Sequence, residues 1–254
     1  VERNSELVMK KKIHINCDLG EGGEHDADLM PLISACNIAC GGHAGNLDTM
    51  HRTVQLAMEN KIEIGAHPSY PDKTNFGRKS MKMSDEDLKL SIEAQVLTLK
   101  QIIEAEGGKL SHIKLHGALY NDAAKDENIA RTVIDALDLL EENYRLFVPF
   151  NSKISEYAMG KYELFCEVFG DRNYEHDLSL VSRSKPNAVI DQKEQVFEHV
   201  FSMFRDKKIT TISGEKINCK ADTFCIHSDT NSAVEILEYL HKKFAEEGIS
   251  IINS

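Results

Sequence analysis

Several things are missing from this chain. No apolar run approaches the roughly 18 residues that a membrane-spanning helix needs, so no membrane segment is expected. No secretory apolar core precedes the first strand-like run, and cytoplasm is the compartment expected. There is no C-x-x-C pair, and six cysteines in 254 residues do not resemble a secreted disulfide framework. A thiolate zinc site is therefore not expected; Cys17, Cys36, Cys40, Cys166, Cys219 and Cys225 mostly lie in or beside apolar runs, where cysteine acts as a small hydrophobe. Excess positive charge is missing too. The net charge is −11, and Lys10-Lys11-Lys12 stands alone, which argues against nucleic-acid backbone binding. A local Arg or Lys can still hold one carboxylate or phosphate. No period of 20 to 50 residues appears, which argues against solenoids and propellers.

What is present is an alternation. A chain of 254 residues with 41% hydrophobic and 28% charged residues suits one large α/β barrel or two small domains. No linker divides it, so one domain over 13–254 is expected. Residues 1–12 are set apart as an N-terminal extension, Met9-Lys10-Lys11-Lys12 offering a natural start. Short apolar runs near 13–18, 36–40, 62–66, 110–115, 145–150, 163–169 and 222–226 read as buried parallel strands. Amphipathic stripes lie between them. One runs from Leu47 to Ala57 behind Asn46, a second from Leu88 to Ile103 behind Ser84, and a third from Ile129 to Leu140 behind Asp126. A fourth follows Asp191 with Glu194 at capping-box spacing, and the last ends before Gly248. Seven strands with helical crossovers suggest a single parallel (β/α) barrel, TIM-like, either open or short of the usual eight strands, with a β-hairpin inserted near 209–220 around Ser213-Gly214-Glu215. Residues 170–187 read as a long polar loop of the kind that carries function.

Polar residues gather where the strands stop, and strand carboxyl ends in parallel folds share one rim. Asp18 ends the first strand and Glu21 follows one turn later; they either share a cleft as acid and base, or cap and solvate. His43 follows Gly41-Gly42, and His67 enters a proline-stiffened loop that continues to Arg78, a guanidinium suited to carboxylate or phosphate. Alternation puts His112, Lys114 and His116 on one inward face. A buried Lys114 needs a partner, either Glu63 as a structural one or Asp18 or Glu21 as a functional one. Asp171, Arg172, His227 and Asp229 complete the set, although Asp229 is as suited to capping the last helix. His14, His25, His51, His199 and His241 are read as structural or solvated. Asp18, His43, His67 and His116 suit a divalent metal with N/O ligands, and equally suit proton transfer without one.

Together NCDLGE at 16–21, NIACGGHAGN at 37–46, GAHPSYPD at 65–72, FGR at 76–78, HIKLHGALYN at 112–121, DRNY at 171–174 and ADTFCIHSDT at 221–230 resemble the LamB/YcsF family, in order, from about residue 13 to 247. That resemblance implies a seven-stranded barrel akin to the glycoside hydrolase/deacetylase superfamily. It also implies ATP-dependent opening of 5-oxo-L-proline to L-glutamate, in a complex with two further subunits, with ATP as co-substrate and Mg2+ accompanying it. Asp18, Glu21, His67, Lys114, His116 and Asp171 are then the catalytic candidates, and His43, Arg78, Arg172, His227 and Asp229 the substrate- or phosphate-binding ones. The chain departs from its relatives in a shortened segment after the first motif. It also has Gly42 for a bulky residue, Asn46 for Asp, and Ser228 where glycine is usual. No Walker-A pattern occurs, so ATP is expected to be handled largely by partner subunits. Two other readings stay open: a metal-dependent deacetylase or carbohydrate hydrolase, with a bound transition metal, and a non-catalytic partner-binding or regulatory protein.

Overall fold

A computed structural model describes residues 11–252. The chain begins with β1 (Lys11–Ile13) and β2 (Ile15–Leu19), then α1 (Asp26–Leu29), β3 (Ala35–Ala39), α2 (Leu47–Glu59) and β4 (Glu63–His67). It continues through α3 (Asp85–Ala105), β5 (Leu110–Lys114), α4 (Gly117–Lys125), α5 (Glu127–Asp138), β6 (Arg145–Pro149), α6 (Lys153–Ala158) and β7 (Glu163–Phe169). The remainder is α7 (Lys193–Asp206), β8 (Lys208–Thr210), β9 (Lys216–Asn218), β10 (Thr223–Cys225), α8 (Ala233–Glu246) and β11 (Ile249–Ile251).

Seven of these strands close a barrel in the order β10-β2-β3-β4-β5-β6-β7, every neighbour parallel. The predicted architecture is the observed one, and β8 and β9 form the predicted antiparallel hairpin. Two details differ. The first run is not one strand: β1 leaves the barrel to pair with β11, and β2 starts only after His14. Lys11 and Lys12 thus belong to the fold, while the rest of the expected extension, residues 1–10, lies outside the described residues. The Asp191 cap is not formed either. Gln192 occupies the N-cap of α7 without a side-chain bond, whereas Asn46, Ser84 and Asp126 cap their helices as predicted.

The outward faces of the strands are apolar and pack under the helices; Cys17, Leu19, Ile38, Ile113, Val168 and Phe224 are all buried there. The inward faces are polar. Asn16, Asp18, Asn37, His112, Lys114 and Glu167 are buried inside the barrel. All but Glu167, which meets Lys114 only as an ion pair, form a hydrogen-bonded stack instead of the branched aliphatic layers usual in such a core. Asn37 Nδ2 donates to Asn16 Oδ1 at 2.8 Å, and the His112 Nε2–Asn37 Oδ1 pair is also at 2.8 Å. Gly65 makes room for this: a Cβ there would lie 2.1 Å from His112 Nε2. The His112 ring stacks on Phe147 at 4.1 Å between centroids. A polar stack of this kind is stable only when its members are paired. Once paired, it lets charged groups be carried inward from the mouth.

Candidate active site

Each strand that reaches the carboxyl mouth delivers polar side chains to it. β2 brings Asp18, with Glu21 in the following turn; β4 ends on His67, β5 on Lys114 with His116 two residues on, and β7 carries Glu167. The turn after β3 supplies His43, and the turn after β10 supplies His227 and Asp229. A cavity of about 380 Å³ opens among them, walled by Asp18, Glu21, His67, Lys114, His116 and His227. Residues scattered over two hundred positions meet because all the strands run one way.

The cavity floor is a buried ion cluster. Lys114 Nζ lies 2.8 Å from Asp18 Oδ1, 2.9 Å from Glu167 Oε1 and 3.1 Å from Cys225 Sγ. Burial opposes the charge on Lys114, but Asp18, Cys225 and Glu167 hold the ammonium well above its ordinary range. Burial likewise raises Asp18, yet His67 and Lys114 pull its carboxyl well below the usual carboxylate range. Asp18 is therefore the Lys114 partner that the sequence offered as functional. Glu63 is not one: it sits at the opposite end of β4 and pairs with Arg145 at 2.9 Å. Glu167 escaped the sequence pattern, because Phe165-Cys166-Glu167-Val168-Phe169 looks like an apolar strand. A lone carboxylate inside such a run was the available signal, since it needs a buried cation as surely as Lys114 needs an anion.

Three imidazoles stand beside this floor. His67 Nδ1 is 2.8 Å from the Lys114 carbonyl and His116 Nε2 is 2.9 Å from the Phe76 carbonyl. A carbonyl oxygen only accepts, so both rings donate their N–H there. His67 Nε2 and His116 Nδ1 then face each other at 3.0 Å, a contact that needs a shared proton or a cation. Glu21 Oε1 lies 3.4 Å from His116 Nδ1 and 2.8 Å from His43 Nε2. His43 stacks flat on His116, centroids 3.5 Å apart. Burial, then the neighbouring His67, lowers His43 to about 2 and takes His116 well below its ordinary value. Burial, then the charge of Asp18, raises Glu21. Donor atoms of Glu21, His43, His67 and His116 all lie within 4.8 Å of one another. This set differs from the expected Asp18, His43, His67 and His116. Asp18 gives Oδ1 to Lys114 and Asn37 and keeps Oδ2 3.4 Å from His67 Nε2, while Glu21 joins the imidazoles.

Across the cavity, Asp171 was expected to act directly. It is fully buried behind His227, accepting from the His227 backbone N–H at 2.9 Å and from Nδ1 at 2.9 Å, and from the Thr230 hydroxyl. Asp171 orients His227, whose Nε2 is left free for the cavity. Arg172 was expected to bind an anion. Its Nε and Nη2 instead donate to the carbonyls of Ala188 and Val181, at 3.1 and 2.6 Å, pinning the loop after β7. Arg78 does reach the rim, paired with Asp229 at 2.6 Å. Arg183, not foreseen in the sequence, joins the same carboxylate. Gly42, the departure before His43, is filled from outside: a Cβ there would meet Gln95 Oε1 at 2.3 Å. His14, His25, His51, His199 and His241 lie off the cavity wall, as expected.

The sequence model of the LamB/YcsF family matches residues 13–254. A relative from Pyrococcus horikoshii, named as the A subunit of 5-oxoprolinase, is 42% identical over 248 residues, covering 95% of this chain and 97% of its own length. The structure is similar to that of a lactam utilization protein from Thermus thermophilus. The TM-score is 0.88 with 30% identity, over 96% of this chain and all of the other. A peptidoglycan N-acetylglucosamine deacetylase catalytic domain from Eubacterium rectale shares the fold, with a TM-score of 0.54 and 13% identity over 96% of this chain and 88% of that one. Identity of the order seen with the Pyrococcus relative, across almost the whole length and together with the family match, leaves one assignment: the chain belongs to the LamB/YcsF family.

Proposed function

We propose that this chain is the lactam-opening subunit of a 5-oxoprolinase, converting 5-oxo-L-proline to L-glutamate with two partner subunits and ATP. One observation carries this most directly. A buried ammonium flanked by two carboxylates floors a cavity whose wall holds an aspartate-oriented imidazole and whose rim holds arginines. Such a cavity suits a small amide bearing one negative group. Relatives named as the A subunit of 5-oxoprolinase, and a neighbour named for lactam utilization, support the same substrate class.

A five-membered lactam resists hydrolysis because its amide is resonance-stabilised and its product amine readily recloses. Transfer of the terminal phosphoryl group of ATP to the lactam oxygen creates a leaving group. Water then adds at that carbon and the ring C–N bond breaks, leaving the acyl phosphate of glutamate; a second water releases the phosphate, and glutamate, ADP and phosphate result. Within this chain, Lys114 offsets the charge developing on the oxygen, held in place by Asp18 and Glu167. Glu21, raised by burial and by Asp18, suits removal of a proton from water. His227, fixed by Asp171, gives a proton to the departing nitrogen. The ATP and its Mg2+ are held by the partners, since the chain has no Walker-A pattern.

A second, metal-dependent hydrolase reading has its own support in the imidazole cluster. The donor set fits a divalent cation: two facing ring nitrogens, each ring fixed by a backbone carbonyl, with Glu21 alongside. A cation held by Glu21, His67 and His116 would supply Lewis-acid polarisation and a more acidic bound water. Membrane attachment is not indicated by the structure; among the described residues no helix is long and apolar enough to cross a bilayer. A cytoplasmic location is part of the proposal.

Assay of the full chain with its partner subunits tests the proposal. Glutamate and ADP should form in equal amounts, and Lys114→Met and His227→Ala should each lower the rate by about a hundredfold or more. Glutamate without ADP would overturn the ATP coupling. An unchanged rate in His227→Ala, which leaves the Lys114 cluster on the floor intact, would overturn the proton-transfer role.

A further inference from the structure

At the mouth of the cavity a single carboxylate holds two guanidinium groups that arrive on different loops. Asp229 Oδ2 accepts from Arg78 Nη2 at 2.6 Å and from Arg183 Nη1 at 3.4 Å, while Oδ1 accepts from Arg183 Nη2 at 3.3 Å. Arg78 follows β4, Arg183 lies on the loop after β7, and Asp229 follows β10. All three line the cavity and are between 30% and 42% exposed, so a solute entering the mouth can reach them. Neither arginine is loose. The Arg78 guanidinium lies over the Phe76 ring, 4.8 Å from its centroid, and the stretch leading to Arg183 is anchored by Arg172 at the Val181 carbonyl.

The charges are ordered along the cavity. At the mouth Arg78 and Arg183 face one Asp229, leaving positive charge in excess; on the floor Asp18 and Glu167 face one Lys114, leaving negative charge in excess. A solute with one anionic end and one neutral amide is therefore turned with its anion outward and its amide inward. A guanidinium pair already shaped around a carboxylate needs no rearrangement to take another.

We infer that Arg78 and Arg183 form an anion clamp that takes the carboxylate of the lactam acid in exchange for Asp229, making Arg183 a specificity-determining residue. This deepens the 5-oxoprolinase proposal and rests on it. Asp229 is a resident stand-in: it keeps the clamp assembled between turnovers and competes with the substrate's own carboxylate. The same chemistry would serve a phosphoryl group, and the test separates the two.

Binding to the full chain, alone and with its partner subunits, is measured for three probes: 5-oxoproline, 2-pyrrolidinone (the same lactam without the carboxylate) and inorganic phosphate. Arg183→Ala should weaken 5-oxoproline by about tenfold to a hundredfold and leave 2-pyrrolidinone unchanged. Asp229→Asn should tighten 5-oxoproline several-fold, because a competing carboxylate is gone. In turnover, Arg183→Ala should raise KM far more than it lowers kcat. Equal loss for both lactams, or none for either, overturns the clamp while the 5-oxoprolinase proposal stands. Loss confined to phosphate assigns the arginines to a phosphoryl group and overturns the carboxylate assignment. A wild-type protein that binds neither lactam in either setting overturns both proposals together.

Discussion

A buried charge is the most costly feature a side chain can bring to a fold, and here that cost made parts of the site readable. Lys114 stands in a strand whose alternation turns it inward, so a carboxylate partner could be named from the sequence, and Asp18 is 2.8 Å away. Glu167 obeys the same rule but was hidden by its apolar neighbours. The facing ring nitrogens of His67 and His116 lay beyond the sequence altogether, because they depend on which carbonyl each ring meets. Two ring nitrogens at 3.0 Å need either a proton or a metal cation between them, and a metal in place of the proton would use both. Zinc or manganese titrated into chelator-treated protein should therefore bind at one equivalent. His67→Ala and His116→Ala should each lower the affinity by about tenfold to a hundredfold or more. Equal metal uptake by the wild type and the His67→Ala/His116→Ala double variant would show that no ion belongs there.

At the scale of elements, strands and capped helices were legible because period and punctuation agreed: Asn46, Ser84 and Asp126 each open a helix over an apolar stripe. Short pieces without such periodicity, α1, α4 and α6, were not. Nor was the internal order of the loop after β7, which is held by long-range bonds instead of local pattern. Arg172 holds it. Its planar fork reaches the carbonyls of Ala188 and Val181 together, and Arg172 pairs with Val189 across a short antiparallel bridge. Arg172→Ala should free residues 179–185, speed tryptic cleavage after Arg183, and raise the KM for the lactam acid. A lysine at 172 should not restore the wild type, since one ammonium cannot span both carbonyls in the guanidinium's geometry. Unchanged cleavage rates in Arg172→Ala would show that the loop is held by other contacts.

The whole molecule keeps several histidines neutral in its interior, His14 and His112 within the barrel and His199 on α7, and this sets how its stability responds to acid. His14 is lowered to about 4 by burial and then by Arg145, with Glu63 3.9 Å away. His199 is lowered to about 4 by burial. His112 is taken well below its ordinary value by burial and then by His14, Arg145 and Lys114. In the unfolded chain each titrates near 6.5. As pH falls through that value, the unfolded state takes up protons that the folded state refuses, so stability declines with falling pH. Below their folded values the histidines add no further loss. Glu21, Asp26 and Glu63, raised by burial, act in the opposite sense, but only nearer the carboxylate range. Between pH 7 and 5.5 the three histidines, together with His43 and His116, which burial lowers likewise, therefore govern, and the free energy of unfolding should drop by roughly 6 kcal/mol. Urea unfolding at the two pH values measures this. His199→Gln should remove about a fifth of the drop, since glutamine fills similar space without titrating. A midpoint that stays level from pH 7 to 5.5 would mean that these rings are protonated within the fold or solvated, and that the barrel interior is not the closed polar stack described above.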